Sequence, residues 1–224
     1  MKLLCFGLSR SGTSSLRQAL LDLGYADVYH FASILNENPP DAELWLEALD
    51  CKQKGEKYGR RNWDALLGHC EAVTDTPVVW FWEDLLESYP EAKVIVTVRD
   101  SPKQWFDSQM NTLIRYMHAV VLPAPSVWRS FCSWFLPTPG KVEELSRRMA
   151  TEYGMFQLLA KDSAEGTREA ERFYERHVEE VKRRVPKERL LVMNVKEGCE
   201  FCMPSNLLQY RSQCCGLTML TLSL

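Results

Sequence analysis

The sequence lacks any uninterrupted run of roughly 18 apolar residues, the length at which a stretch becomes a candidate membrane-spanning helix. The apolar stretch at residues 117–136 comes closest, but two prolines, Arg129 and Ser130 interrupt it, a pattern more typical of a loop and helix that line a pocket. The apolar segment before Gly7 is too short for the hydrophobic core of a secretory signal. We therefore expect a cytoplasmic protein without a transmembrane segment.

An excess of positive charge is also missing. The chain has 27 Lys and Arg residues against 30 Asp and Glu residues, a formal net charge of −3. A nucleic-acid partner is therefore not expected. Eight cysteines are present, but their spacing is irregular and the chain is large for a disulfide scaffold, so we expect reduced thiols. With 224 residues, no internal repeat and no low-complexity segment, most of the chain is expected to form one domain.

What is present is an alternation of strand and helix patterns. An apolar run at residues 3–6 ends at Gly7, and leucines then recur at helical spacing up to Gly24. Strands are predicted at residues 3–6, 26–31, 72–74, 93–98 and 190–195. Helices are predicted after the first strand and at residues 41–49, 63–67, 77–87, 101–110, 141–159 and 164–184, with a surface loop at 51–61. Such alternation predicts an α/β fold, a parallel β-sheet flanked by helices.

The turn between the first strand and the first helix carries the clearest functional signal. Residues 7–14 read Gly-Leu-Ser-Arg-Ser-Gly-Thr-Ser, after a buried strand and at the start of a helix. Backbone N–H groups and the positive end of the helix dipole converge at such a turn, and hydroxyl groups add donors. This pattern predicts a phosphate-binding loop, although a strand-to-helix turn can also be rich in Gly and Ser for structural reasons alone.

The loop lacks the lysine of the ATP-binding form G-x-x-x-x-G-K-S/T. Thr13 occupies the position of that lysine, and the only cation in the loop is Arg10, two residues before Gly12. A kinase or NTPase would lose its main contact to the terminal phosphates. A small-molecule kinase is therefore a weaker hypothesis.

The segment Arg10-Ser11-Gly12-Thr13-Ser14 resembles the donor loop of the sulfotransferase superfamily, which reads K-S-G-T-T or R-T-G-T-S. The resemblance implies a fold like that of P-loop nucleoside triphosphate hydrolases and a loop that holds the 5′-phosphosulfate of PAPS (3′-phosphoadenylyl sulfate). It implies that Arg10 stabilises the charge that builds on the bridging oxygen. The donor-binding residues implied in this loop are Arg10, Ser11, Gly12, Thr13, Ser14 and Ser15.

A second match lies at residues 94–100, Val-Ile-Val-Thr-Val-Arg-Asp, which lead into Trp105-Phe106-Asp107-Ser108. Members of the family place an arginine at the end of this strand and a serine at the start of the next helix, and both bind the 3′-phosphate of the donor. The resemblance assigns these roles to Arg99 and Ser108, although their spacing of nine residues is one more than in many members. Arg99 could alternatively pair with Asp100 at the strand end.

A third match concerns a general base. Many cytosolic members carry a histidine two residues before a proline after the short middle strand, and here Thr74-Asp75-Thr76-Pro77 puts Asp75 in that place. A carboxylate can accept the proton of an acceptor group within hydrogen-bond reach. Asp75 would be equally natural as an N-cap for the helix that follows Pro77. His30, after the second strand, is the alternative base.

More narrowly, the chain resembles the short sulfotransferase-like proteins common in fungi, through the motifs GTSSL, TDTP, VRDSP-x-x-W and NVKEG. The resemblance covers about residues 1–198, which we expect to form the sulfotransferase-like domain. Residues 199–224 contain four of the eight cysteines and replace the usual ending of those relatives, which has a Trp, a Phe-Leu-Gly element and a Pro-Phe-Pro segment. We treat them as a separate, atypical tail.

The resemblance implies a PAPS-dependent sulfotransferase that transfers a sulfuryl group to a hydroxyl or amine of a small-molecule acceptor, without a metal. The altered tail favours one alternative, a non-catalytic nucleotide-binding relative. The sequence indicates neither the acceptor nor the oligomeric state. Several aromatic residues could form an apolar acceptor pocket or belong to the core: Trp80, Phe81, Trp82, Trp128, Trp134 and Phe135.

Overall fold

A parallel β-sheet of five strands organises the protein, for which a computed structural model describes residues 1–114, 137–152 and 164–197. The strands follow the order β2-β3-β1-β4-β5, and every neighbouring pair is parallel. The strands are β1 (Leu3–Cys5), β2 (Val28–Tyr29), β3 (Ala72–Val73), β4 (Lys93–Val98) and β5 (Leu190–Asn194). Helices cover both faces of the sheet. The predicted α/β fold is confirmed.

Alternating residues of the central strand face opposite sides of the sheet. Leu3 and Cys5 belong to a smaller apolar cluster that also contains Leu16 and Leu20 of the first helix. Leu4 lies on the other face, in the main core that the later helices build. Burial on both faces explains why the first strand is apolar at every position.

The helices that surround the sheet account for most of the described chain. They are α1 (Thr13–Asp22), α2 (Asp41–Gln53), α3 (Arg60–Leu67), α4 (Trp82–Ser88), α5 (Pro102–Gln109), α6 (Pro137–Glu152) and α7 (Ala164–Arg184). Shorter π-helical turns lie at Ser33–Glu37 and Met110–Ile114, and 3-10 turns at Val78–Phe81, Lys187–Arg189 and Val195–Glu197. No helix within the described ranges is both long and apolar enough to span a bilayer.

Two predicted boundaries differ in the first half of the chain. The predicted loop at residues 51–61 is shorter, because α2 continues to Gln53 and α3 begins at Arg60. The last turn of α2 has only one apolar side chain, Cys51, to mark it, and the chain turns away from the helix at Gly55, which has a positive φ of 76°. The predicted helix at residues 77–87 is a 3-10 turn followed by α4, because the N–H of Trp80 donates to the carbonyl of Pro77, three residues back.

Helix α6 begins earlier than predicted, at Pro137, and its predicted continuation at residues 153–159 lies outside the described residues. The apolar stretch at residues 117–136 and the tail at residues 199–224 also lie outside them. Three of the eight cysteines are described, Cys5, Cys51 and Cys70, and all three are free.

The carboxyl ends of the parallel strands share one edge of the sheet. The segments after β1, β3 and β4 therefore meet there, although they are far apart in the sequence. Because β1 is the central strand and the chain extends to both sides of it, this edge also contains the topological switch point at which open α/β sheets bind ligands.

Candidate functional site

The loop after β1 turns sharply, and two of its residues have left-handed backbone conformations. Arg10 has a φ of 70° and Gly12 a φ of 101°. Gly7 is required for a different reason, since a Cβ at this position would lie 1.8 Å from Oγ1 of Thr97. A Cβ on Gly12 would lie 2.5 Å from a methyl group of Val195. The loop is therefore packed between β4 and the end of β5.

Hydrogen bonds within the loop and from two elements, β4 and α5, fix the loop. The buried Ser11 hydroxyl donates to the carbonyl of Leu8 at 2.6 Å and lies 2.6 Å from the Thr97 hydroxyl on β4. The carbonyl of Ser9 accepts two hydrogen bonds from α5, from Nε1 of Trp105 at 2.9 Å and from Nε2 of Gln109 at 2.8 Å. These contacts define the shape of the loop.

The loop leaves the first N–H groups of α1 available to an anion. Helix α1 begins at Thr13, and no side chain donates or accepts a capping hydrogen bond at its N-cap residue, Gly12. The first N–H groups of a helix have no partner within the helix, and they lie at the positive end of its dipole. Ser14 and Ser15 are exposed beside them. Left-handed residues within such a turn form the concave backbone that binds phosphate groups.

Two arginines and a serine meet beside this loop. Nε of Arg10 donates to the Ser108 hydroxyl at 3.3 Å, and Nε of Arg99 donates to the carbonyl of Arg10 at 2.7 Å. Arg10 is exposed and Arg99 is partly exposed, so their guanidinium groups can reach a ligand. The structure brings these three predicted residues together from three separate parts of the chain.

The alternative pairing of Arg99 with Asp100 does not occur. The carboxylate of Asp100 instead accepts hydrogen bonds from the side chains of Asn194, at the end of β5, and Lys196, just after it. These contacts lower the pKa of Asp100, the Lys196 ammonium being the largest cause. Tyr174 on α7 accepts a hydrogen bond from the Arg99 N–H at 2.8 Å and so fixes the backbone of that residue.

Asp75 lies directly across from the loop, because β3 is the neighbour of β1. Its Oδ1 accepts hydrogen bonds from the Ser9 hydroxyl at 2.7 Å and from the Thr13 hydroxyl at 3.3 Å. The side chain is buried, and the backbone has a positive φ of 68°. The 3-10 turn after Pro77 has no side-chain cap, and only the backbone carbonyl of Asp75 bonds to it, through the N–H of Val79. The carboxylate therefore belongs to the loop site and does not cap the helix.

His30 completes the cluster. Its Nε2 lies 3.3 Å from Oδ2 of Asp75, 3.4 Å from the Thr13 hydroxyl and 3.3 Å from the Ser14 hydroxyl. Burial lowers the pKa of His30 below its ordinary value, and the Asp75 carboxylate opposes this shift only in part. The two candidate bases are thus direct neighbours within one site.

The aromatic residues that follow Asp75 divide between core and surface. Phe81 and Trp82 are buried, whereas Trp80 is partly exposed. Trp80 lines a groove beside α7, together with Val79 and Phe173. The other three aromatic residues named from the sequence, Trp128, Trp134 and Phe135, lie outside the described residues.

Sequence reasoning did not assign roles to Ser9, Thr97, Gln109 or Tyr174. Trp105 and Gln109 are four residues apart and therefore lie on one face of α5, a spacing that could have indicated a shared target. The contact of Ser9 with Asp75 joins residues 66 positions apart, and no local pattern indicates it.

Comparisons with known proteins agree with the resemblance of the motifs. The family described as "Sulfotransferase domain" matches residues 2–202, nearly the whole chain. A curated protein, "Ava biosynthesis cluster protein M" from Aspergillus versicolor, is 36% identical over 211 residues. That alignment covers 90% of this chain and 75% of the relative.

Proposed function

The chain belongs to the sulfotransferase domain family, and we propose that it transfers a sulfuryl group from PAPS to a hydroxyl or amine of a small-molecule acceptor. One observation carries this proposal: Arg10, Arg99 and Ser108 meet at the mouth of a phosphate-type loop that has no lysine. Two separate cationic groups suit a ligand with two separate phosphate groups, as PAPS has. A γ-phosphate would find no lysine in this loop.

The loop and the arginines would bind different parts of the donor. The backbone N–H groups at the start of α1, with the Ser14 and Ser15 hydroxyls, would hold the 5′-phosphosulfate. Arg99 and Ser108 would hold the 3′-phosphate. Arg10, which already contacts Ser108, would stabilise the negative charge that grows on the bridging oxygen as the sulfur–oxygen bond breaks.

Asp75 would act as the general base. The acceptor oxygen or nitrogen would attack the sulfur on the side opposite the leaving group, and its proton would pass to the Asp75 carboxylate. Because Asp75 is hydrogen-bonded to Ser9 and Thr13 of the loop, the base and the donor site are held in a fixed relation. No metal is needed for this chemistry, since the cationic groups are supplied by the chain.

The proposed class of acceptor, a small molecule, is supported by the relative from Aspergillus versicolor. Its name assigns it to a biosynthesis cluster, which supports a small organic molecule as the acceptor for this chain. We also propose that residues 1–198 form the catalytic domain, because Val195 at the end of β5 packs against Gly12 of the loop.

The direct test is transfer of a sulfur label. Purified protein is incubated with 35S-labelled PAPS and a panel of phenols, alcohols and amines, and both labelled product and PAP (3′-phosphoadenosine 5′-phosphate) are measured. We expect labelled product with at least one acceptor class. Arg10→Ala should lower kcat by about 100-fold, the scale for one lost transition-state donor.

Arg60→Ala is the control, because this exposed residue of α3 pairs with Glu91 and contacts neither the loop nor Asp75. It should retain most of the transfer rate at a temperature where both variants are folded. Binding of PAP without transfer to any acceptor would contradict the enzyme and support a protein that only binds the nucleotide.

A further inference from the structure

The pair formed by His30 and Asp75 has a defined donor and acceptor. Both side chains are buried, at 11% and 8% exposure, and Nε2 of His30 lies 3.3 Å from Oδ2 of Asp75. Nδ1 of His30 accepts a hydrogen bond from the backbone N–H of Ala32 at 3.0 Å. A ring nitrogen that accepts a hydrogen bond carries no proton, so the proton of the neutral ring is on Nε2. Three oxygens lie within reach of Nε2, and the Asp75 carboxylate is the only one of them that is charged, so Nε2 donates to Asp75.

The turn that contains His30 keeps the ring in this orientation. The N–H of Ser33 donates to the carbonyl of His30 at 2.8 Å, and the N–H of His30 donates to the Ser33 hydroxyl at 3.3 Å. Protonation of Nδ1 would break the bond to Ala32 and place a cation in a buried site. The ring is thus held neutral by its surroundings.

The charges around His30 come from three elements. Asp75 after β3 and Glu37 on the π-helical turn favour the charged ring, whereas Arg17 on α1 disfavours it. Arg17 and Glu37 pair with each other, which reduces the net effect of both. Burial is the largest influence, and it favours the neutral ring.

We propose that His30 is a positioning residue for Asp75 and is not itself the base. This inference rests on the proposed function. The Nε2–H bond to Oδ2 and the Ser9 and Thr13 bonds to Oδ1 fix the plane of the carboxylate. Of the four lone pairs of the carboxylate, one on Oδ2 is left to receive a proton. When the acceptor attacks, its O–H or N–H bond breaks, and the proton joins that lone pair. The electrons of the broken sulfur–oxygen bond leave with PAP, and the ring of His30 stays neutral throughout.

Two substitutions of similar size separate positioning from base catalysis. His30→Gln places an amide N–H near the position of Nε2 and can still donate to Asp75. His30→Asn places its amide near Nδ1, so it can accept from Ala32 but cannot reach Asp75. We expect His30→Asn to lower kcat by about 10–100-fold, the scale for losing the group that orients a functional side chain, and His30→Gln to recover most of that loss.

The two roles also predict different pH profiles. If His30 only positions Asp75, the acid limb of the kcat profile persists in His30→Gln, and the KM for PAPS changes little in either variant. Under our proposal, Asp75→Asn removes the base and should lower kcat by about 100-fold or more. If His30 is the base instead, His30→Gln should cause a loss of that size. That result would overturn the proposal, as would full turnover in His30→Asn.

A measurement without catalysis checks the tautomer directly. Long-range 1H–15N correlation spectra of protein labelled with 15N-histidine at pH 7 should show a protonated Nε2 and an unprotonated Nδ1 for His30, assigned by its loss in His30→Gln. A protonated Nδ1 or a charged ring would contradict the proposal even if transfer is active. Absence of PAP binding in wild-type protein would instead contradict the proposed function and leave the tautomer result standing.

Discussion

At the scale of single residues, Arg99 has two roles that an experiment can separate, support of the loop and binding of the donor. Its Nε supports the loop through the Arg10 carbonyl, while under the proposed function its guanidinium group would also bind the 3′-phosphate. Arg99→Ala should weaken PAP binding by about 1.5–3 kcal/mol, the scale of a lost charge-assisted hydrogen bond. Binding of adenosine 5′-phosphosulfate, which lacks the 3′-phosphate, should change little. Titration calorimetry with both ligands checks this, and equal weakening of both would show that Arg99 acts only through the loop.

Gly7 is the residue whose replacement the packing forbids most clearly. A methyl group there would overlap the Thr97 hydroxyl, which is itself buried and hydrogen-bonded to Ser11. We expect Gly7→Ala to lower the free energy of unfolding by about 1–3 kcal/mol, as overpacking usually does.

The matched control for Gly7 is a double-mutant cycle with Thr97→Ala, which removes the overlapping oxygen. Chemical denaturation of the four proteins should show a smaller cost of Gly7→Ala in the Thr97→Ala background. Strictly additive effects would mean that the loop avoids Thr97 by moving elsewhere.

At the scale of elements, α5 links the loop to the arginine cluster. It provides Trp105 and Gln109 to the Ser9 carbonyl and Ser108 to Arg10. The helix is capped by Ser101, whose hydroxyl accepts a hydrogen bond from the N–H of Gln104 at 3.2 Å. Ser101→Ala should lower the free energy of unfolding by about 1 kcal/mol, whereas Ser101→Asp should keep the cap. Equal stability of the two variants in urea denaturation would contradict this role.

Helix α7 is joined to β1 by a buried histidine. Nε2 of His177 donates to the carbonyl of Phe6 at 2.8 Å. Burial lowers the pKa of His177, and the Phe6 carbonyl and the Glu180 carboxylate reverse only part of this shift. Because the pKa is lower in the folded state than in the unfolded chain, the unfolded state binds more protons between the two values. The contribution of the neutral His177 ring to the free energy of unfolding is complete above pH 6.5, and it is lost as the pH falls below that value.

Melting temperatures across pH test that contribution. His177→Gln keeps a donor for Phe6 but does not titrate, so between pH 7 and pH 5, on either side of the ordinary histidine pKa near 6.5, it should lose less stability than wild type. Identical slopes for the two proteins would exclude His177 as a source of acid sensitivity.

The elements differ in how far the sequence predicts them. The limits of β4 and α7 agree with prediction, because β4 has five β-branched residues in succession and α7 repeats its buried face over 21 residues. Strand β2 is only Val28–Tyr29, shorter than predicted, since its pairing partner β3 is equally short. The loop was predictable because its residues are contiguous. The pairing of His30 with Asp75 was not, because it depends on which strands are neighbours.

At the scale of the whole molecule, strand order creates the site. β1 lies between β3 and β4, so the loop after β1 meets Asp75 on one side and Arg99 on the other. The proposed base and the proposed 3′-phosphate site are therefore on opposite sides of the loop. Under the proposed function, this arrangement places the acceptor near Asp75 and the nucleotide near Arg99.

Ligand selectivity tests the donor site most directly, because it depends on the loop and both arginines together and does not require knowledge of the acceptor. Wild-type protein is titrated with PAP and with ATP by calorimetry at one salt concentration. We predict micromolar affinity for PAP and at least about tenfold weaker binding of ATP, a difference of about 1.4 kcal/mol or more. Comparable affinity for the two nucleotides would contradict a PAPS-specific site.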